Sequence, residues 1–524
     1  MRRYLAAVLA AVLTGGLVAC GSPDETSRAR DAIVLGAASE PDSLNPVLGY
    51  AVDGGSKLFD GLVAFDEKLQ VAPALAERLP QVSVDGLTVT YTLRSGITFH
   101  DGSPLTAEDV VFTYRAVLDP KTDSTLRSAF DALAEVTATD ARTVAFRLKY
   151  PYAPFVKRTT LGIVPTEPLS GVDINTADFN REPVGTGPYR LESWTSGDKM
   201  VLVANDDYWG GAPAVKRVTI AFIADDNVRA ARLRSGELDG ADLPAKIADR
   251  FDDTTGYRRY DVPSADYRIV NLPLDNPVTS DVAIRRALDY AVDRKALVDT
   301  VQGGQGTPGF GLVSPAATGW YEPSLSRAEA ADGDRAAQIL DAAGWTLGSD
   351  GIRVKDGRRA AFTLMYTASD TLRKDLATAV ASDARRVGLD VTLAGLDWAA
   401  ISPRLGKDAV IYGGGTPYDP DYELYDMLHS SLAGKGWSNP GRYRNPTVDG
   451  LLEQARSSND EAERVSLYKR VQTTVAGDVP DIGLLFIHHT YLLRDAWAGV
   501  TPRTEAHEHF LNGLYWNLDD WTPR

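Results

Sequence analysis

Cysteine is the scarcest residue in this chain of 524, present once, at Cys20. A single thiol excludes an intramolecular disulfide, a CxxC redox pair and a cysteine-based zinc site, so the fold must be held by its core alone. Histidine is also rare, with six residues, and no HExxH or zinc-finger spacing links them. No resident metal or cofactor is therefore expected. GxSxG is missing, as are the SDN and KTG elements that accompany SxxK in penicillin-binding enzymes, which leaves Ser466-Leu-Tyr-Lys469 as an isolated hydrolase motif. Basic charge is in deficit, with 55 Lys and Arg against 71 Asp and Glu and a net charge of -16. Without a run of closely spaced Lys or Arg, nucleic acid is not an expected partner. There is no internal repeat and no low-complexity tract.

What is present begins at the N-terminus. Arg2 and Arg3 precede an uncharged run from Tyr4 to Ala19, and small residues lead to Cys20 and Gly21. This is the layout of a secretory signal, and the run is shorter than the roughly 20 apolar residues of a spanning helix. Leu17-Val18-Ala19-Cys20 resembles the bacterial lipobox, so residues 1-19 read as a signal peptide, Cys20 as the lipidation site, and 20-31 as a lipidated, flexible tether. The alternative is an ordinary signal peptide with an incidental cysteine.

With 44% hydrophobic residues the chain can bury several cores. Short β-like runs alternate with amphipathic helices from Ile33 onward, which argues for α/β or α+β layers. Leu87 to Leu93 alternates as a strand after an Asp85-Gly86 turn. Ala107 to Leu118 reads as a helix capped by Thr106 and stopped by Pro120. A further strand pair, Val144 to Leu148 and Val201 to Ala204, brackets a Pro- and Gly-rich passage. Later helices are expected at Val282 to Val292, capped by Asp281, at Lys374 to Val387, and at Ala462 to Val475, with a strand at Asp390 to Leu393.

Eight segments in order carry a resemblance: "SLNP" (Ser43 to Pro46), "LFDGLVAFD" (Leu58 to Asp66), the long stretch Pro73 to Tyr114, "PVGTGPYRL" (Pro183 to Leu191), "NDDYWGGAP" (Asn205 to Pro213), "IRRALDYAVDRKALV" (Ile284 to Val298), "ILDAAGW" (Ile339 to Trp345) and "TPYDPDYEL" (Thr416 to Leu424). Together they resemble extracytoplasmic solute-binding protein family 5, the dipeptide, oligopeptide and nickel receptors of ABC importers. The resemblance implies an α/β, two-lobed periplasmic-binding-protein-like clamp of type II, with an extra subdomain in the first lobe. Its lobes would be residues 32-265, with the extra subdomain, then 266-488, then a return to the first lobe at 489-524. Chain crossings are expected near Val262 to Leu274 and Leu484 to Leu493. Such a receptor closes on its ligand by population shift and makes or breaks no bond, so no catalytic residue is expected.

The cleft candidates are Tyr50, in the loop after "SLNP", and Thr416, Tyr418 and Asp419 in "TPYDPDYEL", with Trp398, Trp437 and His488. Each also has a plain structural reading: Asp419 or Asp421 as a helix cap, the tryptophans as packing, the paired histidines as strand residues. In peptide receptors of the family an aspartate at the position of Thr416 grips the ammonium end. In the dipeptide branch an arginine after the equivalent of Leu364 meets the carboxylate; this stretch is a few residues shorter and its nearest arginine, Arg373, is already on the next helix, so both charge clamps of a dipeptide receptor are missing. The nickel branch carries a tyrosine matched by Tyr418.

The expected function is that of a lipid-anchored, extracytoplasmic and monomeric receptor on the outer face of the cell membrane or in the periplasm. It would take an oligopeptide or a nickel chelate to ABC permease and ATPase subunits. The alternatives are a solute sensor or scaffold lipoprotein, and an exported serine hydrolase using Ser466 and Lys469.

Overall fold

The computed structural model describes residues 31-51, 55-251, 256-507 and 510-524. The signal segment, Cys20 and nearly all of the tether lie outside the described residues, as does His509. No helix among the described residues is long and apolar enough to cross a membrane.

An 11-stranded sheet runs through the molecule. In chain order its strands are β1 (Ala32–Ala37), β2 (Tyr189–Thr195), β3 (Lys199–Ala204), β4 (Arg217–Phe222), β5 (Gly240–Asp242), β6 (Tyr257–Asn271), β7 (Gly306–Pro308), β8 (Ala361–Thr367), β9 (Asp390–Leu396), β10 (Ala409–Gly414) and β11 (Asp481–Arg494). The spatial order is β9-β8-β10-β6-β11-β5-β1-β4-β3-β2, with β7 against β11. β6 and β11 are the long members, 15 and 14 residues, paired antiparallel from Tyr257↔Arg494 to Asn271↔Asp481. Among the described residues they are the strands that run from the first lobe into the second.

Each end of this ribbon is buried in a different core. Ile33, Leu35, Leu202 and Ile220 of the first lobe pack with Tyr491, Tyr515 and Trp521 from the C-terminal segment. In the second lobe the alternation of β6 sends Val270 to one core, with Leu364, Leu376 and Ile411. Tyr267 and Ile269 go to the other, with Leu424, Leu452 and Tyr468. Between the two halves the β6 ladder slips from Pro263 to Tyr267. Proline has no N–H to give, and the C-terminal segment fills the gap: Ala265 donates to the Glu505 carbonyl at 2.7 Å and Glu505 to the Pro263 carbonyl at 3.2 Å.

The extra subdomain is a four-stranded sheet (Gln81–Val82, Thr88–Thr92, Thr143–Leu148, Leu133–Ala138) covered by α1 (Ala107–Leu118). α1 has the expected bounds, and Asp109 reaches back to the Thr106 N–H at 2.9 Å. Tyr114 of α1 meets Phe146 edge-on at 4.8 Å. The expected strands Val144 to Leu148 and Val201 to Ala204 both form, but they are not a pair. The first joins this small sheet and the second lies in β3.

Four further helices position the cleft. α2 (Phe155–Arg158) belongs to the first lobe, and α3 (Thr371–Arg386), α4 (Asp421–Leu428) and α5 (Glu461–Asp478) to the second. α3 begins three residues before the expected start because Asp370 caps it, accepting from the Arg373 N–H at 2.9 Å.

Candidate ligand-binding cleft

The slip in β6 frees Asp266 from the ladder, and a buried polar group assembles around it. Asp266 accepts from Arg268 and lies 2.8 Å from Nδ1 of His507, while Nε2 of His489 stands 3.4 Å from its second oxygen. His489 Nδ1 is 2.6 Å from Glu505, which also accepts from the Tyr491 hydroxyl at 2.8 Å. Burial alone would raise the Asp266 carboxyl, but Arg268 and the two histidines outweigh it and hold the group well below the usual carboxylate range. Burial likewise opposes a charge on His489, yet Asp266 and Glu505 lift its pKa to about 9. The cluster links β6, β11 and the returning C-terminal segment at the point where the chain changes lobes.

Beside it, β10 ends in Gly413 and Gly414, and Gly415 follows. Gly415 has φ +117°, and a Cβ there would lie 2.0 Å from the Ala265 carbonyl, so only glycine lets the chain pass this close to the crossing strand. The Tyr267 hydroxyl bonds Glu423 of α4. Burial pushes the Glu423 carboxyl up to about 7, against the pull of Tyr267.

An aromatic wall continues from β10. Tyr412 and Trp437 are 6.2 Å apart, and Trp437 meets Trp398 edge-on at 5.0 Å. Trp398 is 39% exposed, unusual for a tryptophan held by neighbours, and the Arg373 guanidinium stands 5.3 Å over its ring. The structure thus brings two sequence candidates, Trp398 and Trp437, into one wall.

The "TPYDP" segment is built differently. The Thr416 hydroxyl accepts from the Tyr418 N–H at 3.3 Å, a local turn contact. Tyr418 is buried, stacked on Phe65 of the first lobe at 4.3 Å, with its hydroxyl accepting from Asn512 at 2.6 Å. Asp419 has no exposed surface. Arg464 of α5 grips it bidentately at 2.9 and 2.7 Å, and Lys157 of α2 adds a third contact at 3.1 Å. Burial raises the carboxyl, and Lys157 and Arg464 overcome this to hold it at about 2. Asp419 therefore has its oxygens committed to protein cations, and its place is the contact between lobes. It also accepts from the Asp421 N–H at 3.1 Å, whereas Pro420 occupies the cap position of α4.

The same contact holds Asp421. Asp421 accepts from Tyr152 at 2.9 Å, Arg456 at 3.1 Å and Tyr468 at 3.2 Å. Arg158 of α2 lies 3.3 Å over the Tyr422 ring. Lys68, Lys157, Trp320, Pro417, Tyr418 and Arg464 help line a cavity of about 600 Å³ between the lobes, large enough for a small solute.

Tyr50 packs at the edge of the first core with its hydroxyl beside Ser56. His488 is turned away from the Asp266 group, because successive strand residues face opposite ways, and its Nε2 lies 3.0 Å from Thr307 of β7. Its neighbour His489 is the one inside. Sequence reasoning missed Asp266, Arg268 and Glu505, and the available signal was the β6 alternation beside Pro263. His429 is structural, stacked on Tyr425 at 4.4 Å. Ser466 is exposed on α5 and Lys469 half-buried.

The profile described as "Bacterial extracellular solute-binding proteins, family 5 Middle" matches residues 70–436. The chain belongs to family 5. Its long signature stretch, Pro73 to Tyr114, falls wholly inside that match. Protein XP55 of Streptomyces lividans is 49% identical over 505 residues, covering 95% of this chain and 92% of its own. Oligopeptide-binding protein AppA of Bacillus subtilis (strain 168) is 31% identical, over 86% of this chain and 84% of its own. AppA in complex with a nonapeptide superposes with a TM-score of 0.79 at 28% identity, over 94% and 99% of the two chains. NikZ from Campylobacter jejuni in complex with Ni(L-His) gives 0.83 at 27% identity, over 94% and 100%. The expected α/β two-lobed clamp is thereby borne out.

Proposed function

We propose that this protein is the solute receptor of an ABC importer, held outside the cytoplasm as a monomer by a lipid on Cys20, and that it captures a peptide or a nickel chelate between its lobes. Lobe limits of 32-265 with 489-524, and 266-488, fit this reading. The observation that carries it is the arrangement of the two halves: separate cores whose chain crossings among the described residues are β6 and β11, with a cavity of about 600 Å³ lined from both lobes. Such a hinge closes when the ligand touches both faces and so binds the closed state better. The relatives crystallised with a nonapeptide and with Ni(L-His) support the two solute classes; of the candidates, Tyr418 lines the cavity, while Trp398 and Trp437 form a separate wall beside β10.

Thermal shift with a peptide library and with nickel, alone and with histidine or other chelators, tests it. A ligand at a hundredfold excess over Kd stabilises by about 2.7 kcal/mol, which a melting curve resolves. Unchanged melting across both sets rejects both solute classes.

A further inference from the structure

Five titratable side chains from four separate stretches of chain form one line across the boundary between the lobes. Glu423 of α4 lies over the end of β10, where a Cβ on Gly414 would come within 3.3 Å of its Oε1. The next residue, Gly415, accepts from the His507 N–H at 2.9 Å, so the C-terminal segment reaches the second lobe there. From His507 the line passes to Asp266, then to His489, then to Glu505. Other ionisable groups face it from each neighbouring element. β6 contributes Arg268 and the Tyr267 hydroxyl, α4 contributes Asp426, and β10 contributes Tyr412. β11 adds Tyr491 and, next to His489, His488, while Arg373 of α3 is answered by Asp370.

Three of the five are carboxylates, and among the described residues Arg268 is the permanent cation paired with them. With both histidines neutral the line would carry two uncompensated negative charges, and Glu505 Oε1 is already buried without a hydrogen-bond partner. Water between parted lobes supports such charge. Closed lobes exclude it, and a proton is the remedy. Burial pushes the Glu423 carboxyl up to about 7 against the pull of Tyr267, and Asp266 and Glu505 overcome burial to lift His489 to about 9. Hydration on opening returns each towards its ordinary value, roughly 4.3 and 6.5. Both values are higher closed than open, so each group binds a proton on closure: Glu423 between about pH 4.3 and 7, His489 between about pH 6.5 and 9. Asp266 and Asp419, held low by their cations, titrate below this range and with the opposite sign.

We propose that closure of the lobes takes up protons along this line, on Glu423 and on His489, so that the receptor captures solute more tightly as its surroundings acidify and lets go as they turn alkaline. The slip after Pro263 makes the coupling possible, because it turns Asp266 out of the ladder to meet both histidines. Glu423 and His489 act through the hinge and are positioning residues. The inference rests on the receptor reading above. It adds a regulating proton that works on a peptide and on a chelate alike, since it belongs to the closed state and not to the solute.

Small-angle scattering of the unliganded mature chain tests this without a solute. From about pH 5.5 to 9 the closed fraction should fall, by at most about tenfold per pH unit for each coupled proton. Glu423→Gln keeps a neutral side chain of the same shape and should remove the fall below pH 7, and His489→Gln should remove the fall above it. Asp60 and Asp481 also titrate, near pH 6 and 7, but each bonds within one lobe and stays in place in Glu423→Gln. Should His489→Gln fail to fold, Glu423→Gln decides alone. A wild-type profile that does not change over this range, or a Glu423→Gln protein that keeps the full wild-type dependence, overturns the proposal. Neither result touches the receptor reading, which solute binding at a fixed pH tests.

Discussion

Lys157→Met separates closure of the lobes from stability of the fold. The ammonium of Lys157, on α2 of the first lobe, donates to the Tyr418 carbonyl at 2.9 Å and to Asp419 at 3.1 Å, both in the second lobe. Its side chain is 20% exposed, and Asp419 is fully buried. When the lobes part, water replaces both contacts, so only the closed state loses by the substitution. A hydrogen bond to a charged group contributes about 1.5–3 kcal/mol, and recovery of hydration in the open state cuts the pair to a net of about 1–2 kcal/mol. That is a factor of about 5–30 in the closed population. In a receptor that is mostly open without ligand, the apparent Kd rises by the same factor. Arg464 still neutralises Asp419 bidentately, so the unliganded protein keeps its melting temperature. Calorimetry with a solute found by thermal shift gives the Kd, and small-angle scattering gives the open fraction. An unchanged Kd together with an unchanged scattering profile would falsify the account, as would a fall in unliganded Tm as large as the loss in binding.

Other substitutions address different links. Asp419→Asn strands Arg464 in a buried site and should cost about 3–5 kcal/mol in urea unfolding, far more than Lys157→Met. His489 has a folded pKa of about 9, above its unfolded value, so its contribution is complete below about pH 6.5. It should be lost as pH rises through 9, and a Tm that does not decline over that window, or an equal decline in His489→Gln, contradicts the cluster. Asp419 behaves oppositely: its stabilisation is present above about pH 4 and disappears as pH falls towards 2. Trp398→Ala removes a ring that is 39% exposed, and should leave Tm nearly unchanged while weakening solute binding by about 1 kcal/mol. Cys20→Ser should abolish metabolic labelling with a fatty acid and release the protein from the membrane fraction.

Features written in adjacent residues were legible in the sequence. α1 was readable because Thr106, Glu108, Asp109 and Pro120 all act within a turn or two of the helix they bound. The family was readable because its segments are local strings. The cleft was less so, and the reason is distance along the chain. Asp419 looks like a ligand residue until Arg464, 45 positions on, and Lys157, 262 positions back, are folded against it. His488 and His489 are indistinguishable until the phase of β11 is fixed by its pairing with β6, and a one-residue error in phase selects the wrong face. Arg373 was read as a helix residue, and so it is. Its placement in the first turn, next to the capping Asp370, carries its guanidinium back to the sheet edge at Gly413.

These positions also bear on how capture drives closure. Moving a two-state receptor from about 1:99 to 99:1 takes about 5.5 kcal/mol of differential binding. The Lys157 contact supplies a minor part of it, and that part is independent of the solute. The larger part must come from groups that the solute bridges only when the lobes meet. Groups at the crossing are placed for this, because Asp266 on β6 is tied through His489 of β11 and through His507 to the C-terminal segment that returns to the first lobe.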